Sequence, residues 1–559
     1  MKNFAASVIF FMLAASAVAQ VPAPGRGSAE RPALPEFLKE PALPRFILPP
    51  APEPRDRSAA ILLKTVITRF RITGSTVWPA AELEQMLGRY TGRPIGSEEL
   101  EEARLALTQR YVAAGYINSG AVIPDQEVRD GTMEIRVIEG RLAEITVAGE
   151  NRFREGFIRE RVALAAGPPL NVLRLQERMQ VLLQNPQIER INAELAPGLR
   201  PGEAVLRLDV AEAKRQSIGV TVANNRSPAV GADRVEAQLG WRNAFGLGES
   251  LGLRFGVTEG LEDLTVNLAV PVTARDTLLT LKLERTDARV VEKPFELIDV
   301  ANRSRSFEIG LAQPVVRTVS REVVLSATLA RRDNASFLLG QPFSFTPGLA
   351  DGKSVVTALR LSGDWSERSA DEVLAARLSV SRGLDRFGAT LNPGFPDSRF
   401  VTRLAQLQWA RRLGAQRGQL IVRADWQRAN GALLPSEKFA VGGAQSVRGY
   451  RENALVRDNG WVLSIEHRQP IGRLQVADFG AGPEDGQLEL ALFADAGKAR
   501  DDRDAARRLS SWGLGLRWTP APGMLAQLYK GFALQKLENP TRTPSDRGIH
   551  FLVALQAAF

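Results

Sequence analysis

The sequence of 559 residues contains no cysteine, and its only histidines are His467 and His550. Disulfide bonds and thiolate chemistry are therefore excluded, and histidine-based metal sites or catalytic triads have little material to draw on. After the first 20 residues no run of 18 apolar residues occurs, which excludes a bundle of membrane-spanning helices. The 72 basic and 63 acidic residues are mixed along the chain, so we expect no nucleic-acid partner.

The N-terminus has the pattern of an export signal. Lys2 precedes an apolar stretch, and the small residues Ala17-Val18-Ala19 follow it. Residues 1–19 are therefore predicted to be a signal peptide that is cleaved after Ala19. An exported chain without cysteine or a later apolar helix is periplasmic, secreted or a barrel of the outer membrane.

A proline-rich segment, residues 20–64, follows the predicted signal peptide. Ten of the 33 prolines lie between Pro22 and Pro54, a density that favours extended backbone and disfavours a long helix. The stretch EFLKEPALPRFIL within it carries apolar residues. We consider two roles for this segment, a spacer or a short plug.

An internal repeat follows, with an offset of 75 residues. ITGS at 72–75 aligns with VAGE at 147–150, and PIGSEELEEARLALTQRY aligns with PLNVLRLQERMQVLLQNP. Each copy, 65–140 and 141–214, is predicted to fold as strand, helix, helix, strand, strand, an α+β unit. Such a unit leaves a strand edge that can accept an extended partner segment. The alternative is that the two copies only pack on each other.

The predicted helices carry apolar stripes and end signals. We expect Ser97 to cap the long helix of the first copy, Gly115 to end it, and Asn171 to cap a helix of the second copy. Apolar residues recur at helical spacing in both. The expected buried positions are Leu100, Ala103, Leu107, Tyr111 and Ala114 in the first copy and Val172, Leu175, Met179 and Leu182 in the second.

From residue 215 to residue 559, short alternating strands replace the helical stripes. In TLLTLKLER, Leu279, Leu281 and Leu283 fall on one face, and the polar residues between them fall on the other. A polar residue at every second position suits a wall with lipid outside and water inside. Seven of the eight tryptophans lie in this region, several at strand ends, as in interfacial aromatic girdles.

The pattern predicts sixteen strands, an even number as expected of a single-chain outer-membrane barrel. Short connections such as ARD alternate with long ones such as DNASFLLGQPFSFTPGLADGKS, which joins strands seven and eight. The predicted strands are 216–224, 233–241, 249–257, 263–271, 276–285, 305–313, 320–331, 354–365, 373–382, 401–412, 417–427, 460–468, 487–495, 511–519, 525–533 and 550–559.

One motif resembles an enzyme site. Gly248-Glu249-Ser250-Leu251-Gly252 matches the G-x-S-x-G nucleophile elbow, but that elbow requires a strand-to-helix turn and a usable base. Here a strand follows, so a tight turn between strands two and three is the better interpretation. No phosphate-binding, metal-ligand or haem motif is present, and we predict no catalytic residue, metal or cofactor.

The long connection at 428–459 contains SVRGY, with Arg448 between Val447 and Gly449. Loops of this length are usually functional or disordered, and its glycines and aromatic residues favour a defined structure. An arginine inside a barrel needs a carboxylate partner, because an unpaired charge in a confined site is costly. Asp495 on predicted strand thirteen is the candidate partner, and Phe493 and Gly497 share its face.

SVRGY in a long late loop, followed by FADAG on the next strand, resembles the outer-membrane transporters of two-partner secretion. These proteins export haemolysins and filamentous haemagglutinins and belong to the wider superfamily of barrels with periplasmic POTRA domains. The resemblance implies a transmembrane β-barrel of 16 antiparallel strands, residues 215–559, preceded by two POTRA domains, 65–140 and 141–214. It also implies an inward-folded loop in which Arg448 pairs with Asp495, with Val447, Gly449 and Tyr450 completing the loop motif.

The resemblance further implies a large secreted partner protein that docks on the POTRA domains and crosses the outer membrane unfolded. Phe559, an aromatic final residue on an alternating strand, resembles the C-terminal signal read by the barrel-assembly machinery. We expect a monomer embedded in outer-membrane lipid with its POTRA domains in the periplasm. The family's plug is commonly helical, whereas Pro35, Pro41 and Pro44 interrupt the corresponding segment here. An insertase for other barrels and a general porin are the alternatives.

Overall fold

The described residues form two compact units. One comprises those within 1–40, 214–244 and 248–559 and contains the strand-rich C-terminal part, and the other comprises those within 41–213 and 245–247. The predicted signal peptide lies outside the described residues. No helix in the described part of the chain is long and apolar enough to cross a membrane. The computed structural model describes residues 31–38, 46–47, 64–293, 295–346, 348–349, 351–414, 418–476, 482, 485–501, 505–537 and 543–559.

The first copy of the repeat builds a three-stranded sheet in the order β3-β6-β5, with β3 parallel to β6 and β5 antiparallel to it. The two strands β2 and β4 pair separately. The elements are β2 (Thr65–Ile67), β3 (Arg69–Thr73), α1 (Ala80–Met86), β4 (Arg93–Ile95), α2 (Ser97–Ala113), β5 (Gly120–Val122) and β6 (Thr132–Ile138).

Helix α2 buries the predicted stripe, since Ala103, Leu107 and Tyr111 are fully enclosed in the core of this unit. Gly115 ends the helix with a φ of 90°, as predicted. The prediction that Ser97 caps it is wrong, because the helix begins at Ser97 itself. The backbone N–H of the residue before it, Gly96, donates to Glu99 at 3.2 Å instead.

The second copy repeats this topology with longer strands. Its sheet has the order β1-β8-β9-β7, in which β8 and β9 are antiparallel and β7 and β9 are parallel. Asn171 caps α4 as predicted, accepting the N–H groups of Leu173 and Arg174 at 3.0 and 3.2 Å. The elements are β7 (Arg141–Ala148), α3 (Glu155–Ala163), α4 (Val172–Leu182), β8 (Ile188–Pro197) and β9 (Glu203–Glu212), to which β1 (Phe46–Ile47) is added.

The remainder of the chain closes into a barrel of sixteen long antiparallel strands, as predicted, with β28 pairing to β10. A two-residue strand, β17, adds to the end of β16. The strands are β10 (Gln216–Ala223), β11 (Arg234–Arg242), β12 (Ser250–Val257), β13 (Leu261–Pro271), β14 (Leu278–Arg289), β15 (Ala301–Arg317), β16 (Arg321–Leu338), β17 (Gln341–Pro342), β18 (Lys353–Arg368), β19 (Glu372–Gly383), β20 (Val401–Leu413), β21 (Gly418–Ala429), β24 (Asn459–Arg473), β25 (Gln487–Arg500), β26 (Arg507–Thr519), β27 (Met524–Ala533) and β28 (Ile549–Ala558).

The barrel wall shows the alternation that the sequence predicts. On β14, Leu279 and Leu283 are exposed on the outer face. On the opposite face of the strand, Lys282 and Glu284 form an ion pair at 2.9 Å and line a polar cavity of about 590 Å³ in the lumen. Trp365 and Trp426 also face outward and are exposed. The period of two therefore separates an apolar exterior from a polar interior.

Two local predictions have opposite outcomes. The expected loop between strands seven and eight is too long, because β16 continues to Leu338 and pairs with β15 through Asn334 and Phe337. Polar residues suggested a loop, but the neighbouring strand extends the hairpin by supplying ladder partners. The G-x-S-x-G match is a turn between β11 and β12, as predicted, and Ser250 begins a strand rather than a helix.

Candidate functional site in the barrel lumen

The connection between β21 and β24 carries its own small hairpin, formed by β22 (Phe439–Val441) and β23 (Leu455–Arg457). The turn segment between these two strands, residues 442–454, is called the lumen loop below. Gly442 and Gly443 have φ values of 110° and 106°, which only glycine adopts easily, so they let the chain turn sharply after β22.

Arg448 lies at the centre of the lumen loop and contacts the wall strand β25. Its Nε donates to Asp495 Oδ2 at 2.8 Å, and its Nη2 donates to Asp495 Oδ1 at 2.9 Å. The backbone N–H of Arg448 also donates to Asp495 Oδ2 at 2.9 Å. A forked arginine–carboxylate pair of this kind is strong and directional, and here the loop backbone is bonded to the same carboxylate.

A second carboxylate, Glu466 on β24, also contacts Arg448. It accepts from Arg448 Nη1 and from the hydroxyl of Tyr529, the latter at 3.0 Å. Ser464 on the same strand accepts from Arg448 Nη2 at 3.1 Å. The side chains of Arg448, Asp495 and Glu466 are 5%, 0% and 1% exposed, and Glu466 also pairs with Arg468 on the same strand. The two carboxylates are therefore compensated by two arginines rather than by water.

Aromatic rings complete the surroundings of the guanidinium. The Arg448 Cζ lies 3.6 Å from the centroid of Phe493 and 5.2 Å from that of Tyr529. Both distances suit cation–π attraction, which is larger in a site from which water is excluded. Burial disfavours the charged form, but Asp495 and Glu466 together raise the pKa of Arg448, so it stays protonated.

The residues around Arg448 seat the loop against the wall. Val447 is fully buried in an apolar cluster with Phe439 and Val441. The Tyr450 hydroxyl donates to the carbonyl of Ser510 at 3.0 Å. Side-chain packing and a hydrogen bond to the wall therefore flank the charged centre on both sides.

Two glycines permit close approach between the loop and the wall. A Cβ on Gly497 would lie 2.6 Å from Val441 Cγ1 and 3.0 Å from Val447 Cγ2. Gly449 has a φ of 98°, and a Cβ on it would lie 3.2 Å from Ser511 Cβ and 3.3 Å from the carbonyl carbon of Gly531 on β27. Both motif glycines therefore stand where a side chain would force the loop off the wall.

Sequence reasoning missed several partners in this site. The SVRGY and FADAG motifs do not include Glu466, Ser464 or Tyr529, although Glu466 occupies an inward position on the strand next to β25. Arg451, just after the motif, donates to Asp546 at 2.6 Å and to Glu292 at 2.7 Å. For the three residues on barrel strands the signal was an inward polar position, which becomes specific only once the barrel register is known. Arg451, Glu292 and Asp546 lie in connections between strands, where alternation gives no signal.

The N-terminal segment at residues 31–38 also lies in the lumen, without helical structure. Arg31 forms an ion pair with Asp425 on β21, and its Nη2 lies 3.4 Å from the carbonyl oxygen of Gln445 in the lumen loop. Phe37 lies beneath the guanidinium of Arg412 at 4.2 Å. The backbone N–H of Leu38 donates to the carbonyl of Ser369 at 2.9 Å. The segment thus follows the inner wall along β19, β20 and β21.

Phe559 lies at the other end of the fold, away from the charged centre. Its backbone exchanges two hydrogen bonds with Gln216, at 2.9 and 3.1 Å, next to the seam that closes the barrel. Its side chain is 62% exposed. Among the described residues, no group of three or more His, Asp or Glu side chains is arranged to hold a metal ion.

Comparisons with known proteins agree with this architecture. A family model described as "Haemolysin secretion/activation protein ShlB/FhaC/HecB" matches residues 202–518, and one described as "POTRA domain, ShlB-type" matches residues 65–140. The outer membrane transporter CdiB of Dickeya dadantii is 22% identical over 484 residues, covering 82% of this chain and 81% of that protein. The heme/hemopexin transporter protein HuxB of Haemophilus influenzae is 21% identical, covering 70% of each.

Solved structures show the same fold. CdiB from Escherichia coli superposes with a TM-score of 0.67 at 19% identity, covering 91% of this chain and 93% of that one. BamA from Haemophilus ducreyi, lacking its POTRA domains 1–3, gives a TM-score of 0.54 at 15% identity, covering 88% and 100%. Because the first family model matches more than half of this chain, the chain belongs to the ShlB/FhaC/HecB family of haemolysin secretion/activation proteins.

Proposed function

We propose that this outer-membrane transporter of the two-partner secretion type exports one large partner protein, or a few, as an extended polypeptide. The partner, called the client below, docks in the periplasm on the two α+β units, residues 65–140 and 141–214. It then crosses the lumen of the barrel at 215–559 and folds outside the cell. The sequence has no nucleotide-binding motif, so folding outside is the source of free energy that we infer for export.

The observation that carries this proposal is the occupied lumen. The lumen loop is held to β24 and β25 by the buried centre of Arg448, Asp495 and Glu466, and residues 31–38 lie against the inner wall. A general porin needs a lumen open to small solutes, whereas a transporter for a large chain needs one that opens only when used. We assign the Arg448 centre as a latch on the loop and residues 31–38 as a plug in extended form.

The latch is tested by export of the client, which is first sought among large exported proteins encoded by neighbouring genes. Arg448→Ala and Asp495→Ala should each lower the amount of client outside the cell, at unchanged amounts of barrel in the outer membrane. Gly252→Ala is the matched control, because a Cβ at that barrel position meets no atom within 4 Å. Unchanged export by both latch variants would contradict the assignment.

The reversed pair Arg448→Asp with Asp495→Arg tests the pairing more sharply. Since Glu466 also faces position 448, the reversed aspartate would meet a second carboxylate, so restoration should require Glu466→Gln as well. Equal restoration with and without that third change would argue against a role for Glu466 in the latch.

An insertase is the runner-up function, and BamA shares the barrel fold. Deletion of the chain distinguishes the two: loss of one extracellular protein supports export, and loss of several outer-membrane barrels supports insertion. Strong small-solute conductance in a planar bilayer, independent of a client, would favour a porin. Insertion of the chain itself by the barrel-assembly machinery through Phe559, and action as a monomer, belong to the same proposal.

A further inference from the structure

Among the strands of the second α+β unit itself, β8 lies at the edge of the sheet, and β1 from the N-terminal segment lies against that edge. Phe46 and Ile47 of β1 pair in parallel with Ala193 and Glu194 of β8. On its other side, β8 pairs with β9 along most of its ten residues. The N-terminal segment is therefore added to the sheet as an extra strand, in the manner of a peptide that binds by strand addition.

The backbone of β8 offers more than this short strand uses. Only two of its ten residues are bridged to β1, and the strand alternates regularly, with Ile191, Ala193 and Leu195 buried and Glu194 exposed. Within the part of the chain that the structure describes, the rest of this edge has no strand beside it, and an open strand edge favours pairing with another extended chain. The equivalent edge strand of the first unit, β5, has three residues. The second unit thus has the edge on which a longer ladder can form.

The sequence around β1 limits how far this internal strand can pair. Pro44 precedes it, and Pro49 and Pro50 follow it. Proline has no N–H to donate to a ladder, so none of these three positions can donate a hydrogen bond to β8. An extended segment without proline could form more backbone hydrogen bonds on the same strand and would replace β1.

We propose that the outer edge of β8 is the docking site for an extended, proline-poor segment of the client, and that β1 is an internal occupant that the client displaces. This inference rests on the proposed export function. The same N-terminal segment is attached upstream by Arg31 and Leu38 to the barrel wall. A client that takes the β8 edge would therefore remove the strand pairing of this segment, while Arg31 and Leu38 still contact the wall.

A reversible covalent lock tests exchange at this edge. The chain has no cysteine, so Ile47→Cys with Glu194→Cys introduces a single thiol pair at facing positions of adjacent strands. Neighbouring strands lie about 4.8 Å apart, within the Cα spacing that disulfides span. The control pair is Ala196→Cys with Val205→Cys, which joins β8 to its permanent neighbour β9.

The first readout is binding of fluorescein-labelled peptides to the full-length chain in detergent. One peptide has the sequence of residues 42–51, and a second has its three prolines replaced by threonine. We expect the second to bind about tenfold more tightly, because it forms additional ladder hydrogen bonds. Oxidation of the β1–β8 lock should weaken binding of both by about tenfold or more, and reductant should restore it. Oxidation of the control lock should change neither.

The second readout is export of the client by cells that carry either lock. Oxidation of the β1–β8 lock should reduce export to about a tenth or less, reversibly, while the control lock leaves it unchanged. Peptide binding that is unaffected by the β1–β8 lock would overturn the inference, as would full export through the oxidised lock. If the unmodified chain exports no client, the proposed function is contradicted, and client docking at β8 with it. That result differs from export that continues when the lock is oxidised, which contradicts the docking site alone.

Discussion

Removal of Arg448 should release the lumen loop, and the size of the effect follows from its surroundings. In Arg448→Ala, Asp495 stays buried without the cation that it contacts, while Glu466 keeps its ion pair with Arg468. Breaking a buried ion pair by removing one partner costs about 3–5 kcal/mol. At about 1.4 kcal/mol for each factor of ten, the equilibrium between docked and released loop shifts by roughly 100- to 4,000-fold.

Thiol labelling measures this shift directly. Val447→Cys places a single thiol at a position that is 0% exposed when the loop is docked, and Leu199→Cys, at a fully exposed position, gives the unprotected rate. Labelling of Val447→Cys by a maleimide should accelerate by about 100-fold or more on Arg448→Ala, up to the Leu199→Cys rate. Arg448→Lys should give an intermediate rate, since lysine keeps the charge but not the forked geometry.

A small change would refute this reasoning. If labelling of Val447→Cys rises by less than about threefold on Arg448→Ala, the loop is held by its apolar packing and by Tyr450, and the charged centre contributes little to docking. A rate already equal to that of Leu199→Cys with Arg448 intact would mean that the loop is not docked at all.

Three further predictions use the same molecule. Burial raises the pKa of Glu452 in the lumen loop to about 8, so docking of the loop should be most stable below about pH 4.5 and weaken as the pH rises through about 8. Glu452→Gln should flatten this pH dependence of the labelling rate, measured relative to the exposed Leu199→Cys thiol, and an unchanged pH profile would contradict the prediction. Gly497→Ala should speed labelling of the loop thiol, because its Cβ would lie 2.6 Å from a valine methyl group, whereas Gly252→Ala should have no effect. Burial opposes ionisation of Glu139, but hydrogen bonds, first among them those from Thr76, lower its pKa. The first α+β unit should therefore lose stability as the pH falls below about 4.5. Glu139→Gln should remove that loss, measured by limited proteolysis, and equal acid sensitivity of the two proteins would count against the prediction.

The sequence was sufficient wherever structure depends on local pattern. Alternation along Leu279, Leu281 and Leu283 determined which face of a barrel strand meets lipid, because side chains reverse direction at every residue of a strand. The repeat at an offset of 75 residues predicted two similar α+β units, and Asn171 marked a helix start by its capping oxygen. Each of these features is decided within a few residues of the position concerned.

The tertiary structure decided which inward positions meet. Arg31 and Asp425 are 394 residues apart in sequence, and Arg451 and Glu292 are 159 apart. Glu466 is a partner of Arg448 because the register of β24 and β25 places Ser464 opposite Asp495. The pairing of β1 with β8 likewise joins two segments that no motif links. Sequence periodicity determines the face on which a side chain lies, but barrel closure and strand register determine its neighbours, because those depend on contacts between distant parts of the chain.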